Sequence, residues 1–214
     1  MKRLILTSSS GTNLSRTGLA DLVITSFFRF AWGPLPCPDE LAAFLGPRSK
    51  EQGSGYHWSG YVGRWGPDAE ERRDLGLAEF CEPYETIELW FDPDPNDQLL
   101  LIWLLDYFQA HPKTATKLVL RLVDFDLMMA REEELRRSEV FDVLVTEAEL
   151  ETASMSWQAY RAHLSISKCT KTITVTRGTS AARWRSLNLA KPSSRERTIS
   201  AGTTPFIAGG AAPN

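Results

Sequence analysis

Cysteine-based frameworks are missing from this chain. Its three cysteines, Cys37, Cys81 and Cys169, are odd in number and lie far apart, with no C-x-x-C. That spacing argues against a disulfide scaffold and a zinc ribbon, and a reduced, cytoplasmic setting is expected. Long hydrophobic runs are also missing. The apolar stretch of "MKRLILTSSSG" is too short for a signal-peptide core, and nothing reaches the roughly 18 apolar residues of a membrane span, so no membrane partner is expected. Histidine is scarce, with only three residues, and there is no H-E-x-x-H, G-x-S-x-G, G-x-G-x-x-G or Walker pattern. Zinc hydrolases, serine-triad hydrolases and the commonest nucleotide fingerprints would leave such local traces.

Excess positive charge is absent from most of the chain. The formal net charge is −3, yet residues 165–214 contain eight Lys or Arg against the single Glu196. The rest is therefore strongly acidic and lacks a nucleic-acid footprint. Composition changes at the same place: from "HLSISKCTKTITVTRGTSAARWRS" to the carboxyl terminus the chain is rich in Ser, Thr, Gly, Pro and Arg, with no sustained period. Residues 1–162 are expected to form one domain, and 163–214 a basic tail without regular structure. An edge strand in "TKTITVTRG" or a basic arm for nucleic acid are the alternatives for that tail, and a shifted or truncated reading frame would look the same.

Within 1–162, strand-like and helix-like patterns alternate. "RLILTSS" and "LVITSFFRF" read as buried strands, the second running into "AWGPLPCP", where glycine and three prolines forbid regular structure. "DELAAFL" is a short helix, and Asp68 with Glu71 resembles a capping box that would start another. "ETIELWF" alternates Ile87, Leu89 and Phe91 with Thr86, Glu88 and Trp90, as a strand with at least one buried face does. A helix from about Asp97 to Ala110 is apolar all round from Leu99 to Leu105. "KLVLRLVDF" is a further strand, "REEELRRSE" a charged helix, "FDVLV" a short strand or extended connection, and Thr146 with Glu149 caps the helix "EAELETASMSWQAYRA". This alternation predicts an α/β domain: an open, mostly parallel sheet with helices on its faces, three-layered and Rossmann-like.

In such sheets ligands bind beyond the carboxyl ends of strands. "LWFDPDPNDQLLLIWLLDYF" places Asp92, Asp94 and Asp97 at one such end, and "TSSSG" and Asp124 to Asp126 occupy two others. Asp92 and Asp94 are the candidate metal ligands, since Mg²⁺ takes one or two carboxylates and completes its shell with water and phosphate. Asp97 and Gln98 beside them, Ser8 and Ser10 after the first strand, and Arg29 and Trp32 near "GPLP" are the candidate ligand contacts, offering hydroxyls, a guanidinium and a stacking surface. The D-P-D spacing also occurs in phosphoryl-transfer enzymes that use an aspartyl nucleophile, but the following Ser or Thr and a partner lysine are missing. A structural account competes: Asn96 is a good N-cap, and Asp97 in a first helical turn favours the macrodipole. His57, among Tyr56, Trp58, Tyr61 and Trp65, belongs to a stacking platform or an aromatic satellite core. His111, before Pro112, complements a helix carboxyl terminus, and His163 borders the tail.

The chain resembles the bacterial family called domain of unknown function 1835 over roughly Lys2 to Ala162. The pattern falls on Trp90, Phe91, Asp92, Asp94, Asp97, Gln98 and Leu99, supported by "GPLP" and "TEAELETASMSWQAYRA". Many relatives carry histidine where this chain has Pro93 and tyrosine where it has Asn96, so a role needing that imidazole is not implied. Two functional readings remain. One is a small phosphorylated or nucleotide-like ligand bound with Mg²⁺ at the acidic loop. The other is a non-catalytic interaction or regulatory module that uses the apolar helix, with self-association expected if that helix has an open face.

Overall fold

Runs rich in leucine, isoleucine and valine become the strands of a single sheet. The computed structural model describes residues 2–53, 55–137 and 141–164. Five strands, β1 (Arg3–Ser8), β2 (Leu22–Ser26), β3 (Thr86–Phe91), β4 (Leu118–Leu122) and β5 (Phe141–Leu144), lie in the order β2-β1-β3-β4-β5. The first four are parallel, with Leu4 beside Leu22 and Ile87, and Ile87 beside Leu118; β5 runs antiparallel to β4. The helices among the described residues are α1 (Pro38–Leu45), α2 (Pro67–Glu70), α3 (Leu77–Cys81), α4 (Pro95–Gln109), α5 (Pro112–Ala115), α6 (Glu132–Arg137) and α7 (Glu147–Leu164). The fold is α/β.

Side-chain alternation divides the strands between two apolar clusters. Leu4, Leu6, Leu22, Ile24, Ile87, Leu89 and Leu118 pack with Leu100, Trp103, Leu104, Phe108 and Trp157 of α4 and α7. On the opposite face Ile5, Val23 and Trp90 meet Leu14, Leu127, Ala130 and Leu135. β3 is therefore buried on both faces, as a central parallel strand requires. Its one charge, Glu88, is 2 % exposed and accepts from Arg121 Nη2 at 2.9 Å, Arg121 Nε at 3.1 Å and Trp90 Nε1 at 2.9 Å.

The β1–β2 connection is a 3₁₀ segment, Ser9–Arg16, on the second face, whereas α4 joins β3 to β4 across the first. These connections run in opposite directions on opposite faces, so they share one hand. Together they create a switch in strand order between β1 and β3, the place at which open α/β sheets form a ligand crevice.

Helix boundaries differ from the sequence expectation at two points and agree at a third. α4 starts at Pro95 because Asp94, not Asn96, is the N-cap: Asp94 Oδ1 accepts from Asn96 N–H at 2.8 Å. Asp68 caps nothing; α2 is a single turn after Gly66, and Glu71 is already its C-cap. α7 is capped as expected, Glu149 accepting from both Thr146 N–H and its hydroxyl. The apolar helix has no open face: Leu100 and Phe108 are fully buried, Leu101, Trp103, Leu104 and Leu105 are at most 7 % exposed, and Leu99 and Ile102 are half-buried against the same core. No described helix is long and apolar enough to cross a membrane. The expected tail, apart from the end of α7, lies outside the described residues.

Candidate functional site

Two neighbouring strands end in the same dipeptide, Thr7-Ser8 and Thr25-Ser26, and these ends build the floor of the crevice. Thr7 Oγ1 donates to Trp90 O at 2.7 Å, tying β1 to β3. A Cβ on Gly11 would lie 2.0 Å from Thr7 Oγ1, so only glycine lets the 3₁₀ segment turn this closely over the strand. Ser8 is fully buried; its hydroxyl donates to Asp97 Oδ2 at 2.5 Å and accepts from Ser10 N–H at 3.0 Å. Ser26 stands beside Ser8 in the sheet register and is 8 % exposed, yet its Oγ has no hydrogen-bond partner among the described residues. Sequence reasoning passes over Ser26, although the repeated Thr-Ser ending marks it.

Asp97 and Asp92 meet above this floor. Asp97 lies in the first turn of α4, 3 % exposed, and its Oδ2 also accepts from Asp92 N–H at 3.3 Å. Asp92, 5 % exposed at the end of β3, accepts through Oδ1 from Leu127 N–H at 2.9 Å, which ties the β3 end to the β4 end. The Ser10 hydroxyl lies against both carboxyls and acts on each as a hydrogen-bond donor. Burial pushes the Asp92 carboxyl up to about 6, with Asp97 and Asp126 adding repulsion and the Leu127 amide and the nearby Ser10 hydroxyl opposing them. Burial likewise raises Asp97, against the hydrogen bonds from Ser8 and from the Asp92 amide. Among the described residues this buried acid pair has no cationic partner, which is the electrostatic signature of the strand-end corner.

The other expected residues take different places. Asp94 is exposed and its Oδ1 caps α4, whereas Asp97 is buried with Asp92 and accepts from its main-chain N–H. Among the described residues no group of three or more His, Cys, Asp and Glu side chains is arranged around a metal position. Gln98 Nε2 donates to Asp92 O at 2.7 Å and fixes the loop. Asn96 clamps the segment after β2: its Oδ1 accepts from Phe30 N–H at 2.7 Å and Ala31 N–H at 3.2 Å, and its Nδ2 donates to Phe28 O at 3.0 Å. That clamp holds the neighbouring Arg29 and Trp32 at the start of α4, both exposed, Trp32 at 64 %.

His57 is fully buried, bonded to Ser59 Oγ at 2.8 Å and Gly46 O at 2.9 Å, and packed on Trp58, so it is a core histidine. Burial lowers the His111 pKa from its ordinary value. An open cavity of about 440 Å³ near His111, Tyr107, Ala78 and Lys113 lies at the far end of α4 and contains none of the strand-end acids.

Fold and site together define an open α/β domain with a polar, acid-bearing crevice at its strand-order switch. Compared with known proteins, the chain matches no family model, no curated protein and no solved structure.

Proposed function

We propose that the switch-point crevice binds a small phosphorylated or nucleotide-like ligand together with Mg²⁺. The observation that carries this reading is the buried Asp92–Asp97 pair, hydrogen-bonded to serine hydroxyls and main-chain amides and, among the described residues, with no cationic side chain against it. Two carboxylates suit Mg²⁺, which keeps several waters and takes the rest of its shell from phosphate. The Ser10 hydroxyl and the exposed Arg29 supply complementary groups for a phosphate, and Trp32 offers a flat surface to a base. The resemblance to the domain of unknown function 1835 family falls on the same loop.

The test is a thermal-shift series with millimolar Mg²⁺ and phosphate-bearing compounds. A ligand at a hundred times its Kd should stabilise the chain by about 2.7 kcal/mol. Asp92→Asn and Asp97→Asn should each abolish the metal-dependent part, while Asp94→Asn should retain it with little loss of stability, because Asn caps a helix about as well as Asp. No response to Mg²⁺ in the wild-type chain, with or without phosphates, ends the metal reading.

A further inference from the structure

The two edges of the sheet are finished differently. At the β2 edge Ile24 forms an antiparallel bridge with Val62, and Thr25 Oγ1 donates to Tyr61 O at 3.0 Å, so the Trp58–Val62 stretch closes that side. At the other edge β5 pairs with β4 alone among the described residues, and all four of its residues are exposed. Phe141 is 78 % exposed, Leu144 70 % and Val143 36 %. Edge strands are ordinarily guarded by lysine, proline, a bulge or an inward charge. Phe-Asp-Val-Leu has no lysine, proline or glycine, and Asp142 is engaged by Arg121 of β4, so it does not guard the edge.

The ladder fixes which main-chain groups face outward. Val145 N–H donates to Leu118 O at 3.3 Å, and Val143 and Phe141 follow with the same parity. Antiparallel alternation then turns the N–H and C=O groups of Asp142 and Leu144 away from β4. Among the described residues these outward groups meet no further strand, and they sit on a strand with apolar side chains on both faces.

We propose that β5 is the surface through which two copies of this chain pair, antiparallel about a twofold axis at Val143, joining their sheets. An isologous contact requires a self-complementary surface, and this strand supplies one. Two registers overlap three residues of each β5 and let the outward groups bond, Asp142 opposite Asp142 of the second copy or Asp142 opposite its Leu144, whereas Leu144 opposite Leu144 overlaps a single strand residue. The first sets like charges side by side, which is unfavourable across strands. The second avoids that contact, forms reciprocal main-chain hydrogen bonds on either side of the axis, and brings the two Val143 side chains together. It also lays Phe141 against Val145 of the second copy. So short a strand buries far less than a standard stable interface, and the pairing is accordingly weak and concentration-dependent.

Sedimentation of the full chain from micromolar to near-millimolar concentration should show a reversible monomer–dimer equilibrium. Phe141→Lys or Leu144→Lys should shift it at least tenfold towards monomer without moving the thermal midpoint, because both side chains are exposed. Under mild oxidation Val143→Cys should give an interchain disulfide beyond the wild-type background from Cys37, Cys81 and Cys169, and Asp142→Cys should not. Cross-linking at position 142 instead of 143 overturns the register. A chain monomeric throughout, a dimer indifferent to both lysines, or a monomer whose Asp142 and Leu144 amides resist hydrogen exchange because residues 165–214 cover them would each overturn the interface.

Discussion

Asp92 holds a carboxyl group that folding prefers to keep protonated. Its folded-state value of about 6 lies above the ordinary 3.8, with burial as the main cause. Below about pH 3.8 both states keep the proton and the group is neutral towards folding. Between there and about pH 6 the unfolded chain gives up its proton first, so stability falls as pH rises, and above about 6 the loss is complete. The span corresponds to as much as about 3 kcal/mol. Asp92→Asn keeps an acceptor for the Leu127 amide and removes the charge, so it should raise the unfolding free energy above pH 7 and flatten its slope between pH 4 and 6. Denaturant titrations at several pH values check this; parallel profiles for the two proteins would show that Asp92 titrates normally. Gly11 tests packing at the same corner. Gly11→Ala forces its methyl against Thr7 Oγ1 and should cost about 1–3 kcal/mol, read as a fall in denaturation midpoint.

At the scale of elements, α4 depends on its first turn to organise three neighbouring loops. Asp97 reaches β1 through Ser8 and the β3 end through the Asp92 amide, while Asn96 reaches the segment after β2. Asn96→Ala would leave the buried Phe30 N–H and its neighbour Ala31 N–H without their acceptor and should cost about 2–3 kcal/mol. Asn96→Asp, which keeps the acceptor, should cost less; equal losses in a denaturation series would show that the clamp does not act through those amides. Strand positions and the acidic corner are legible in the sequence because they depend on local alternation and on polar residues following apolar runs. Partnerships are not. Nothing local distinguishes Asp94 from Asp97, yet one is an exposed cap and the other is buried against a serine 89 residues away. The antiparallel sense of β5 is equally hidden, since "FDVLV" has no period that encodes direction and its pairing is decided by β4. Asn96 misleads for a related reason: its side chain suits a cap, but Asp94 precedes it and takes that role.

On the scale of the whole molecule, enclosure of α4 decides how its apolar circumference can be tolerated. The sheet and α1 cover part of it, and α7 covers the rest, with Leu150, Ala153 and Trp157 buried against it. Ser154 Oγ donates to Asp106 Oδ1 at 2.7 Å, and Tyr160 OH donates to Phe30 O at 2.7 Å, so α7 also braces the segment that Asn96 clamps. Trp157 is the largest side chain in this contact, 2 % exposed, with its ring 5.0 Å from Phe30 and 5.9 Å from Tyr160. Trp157→Ala should therefore cost about 3–5 kcal/mol, a large share of the roughly 5–15 kcal/mol that holds an ordinary domain together. The variant should bind an apolar dye as α4 loses its cover, and it should bind phosphate-bearing compounds less well because Phe28 to Trp32 are released with it. Met155, 65 % exposed on the same helix, provides the control: Met155→Ala should leave midpoint and dye fluorescence unchanged. If Trp157→Ala unfolds at the wild-type midpoint and binds no dye, α7 is not what encloses α4, and the apolar helix has another cover.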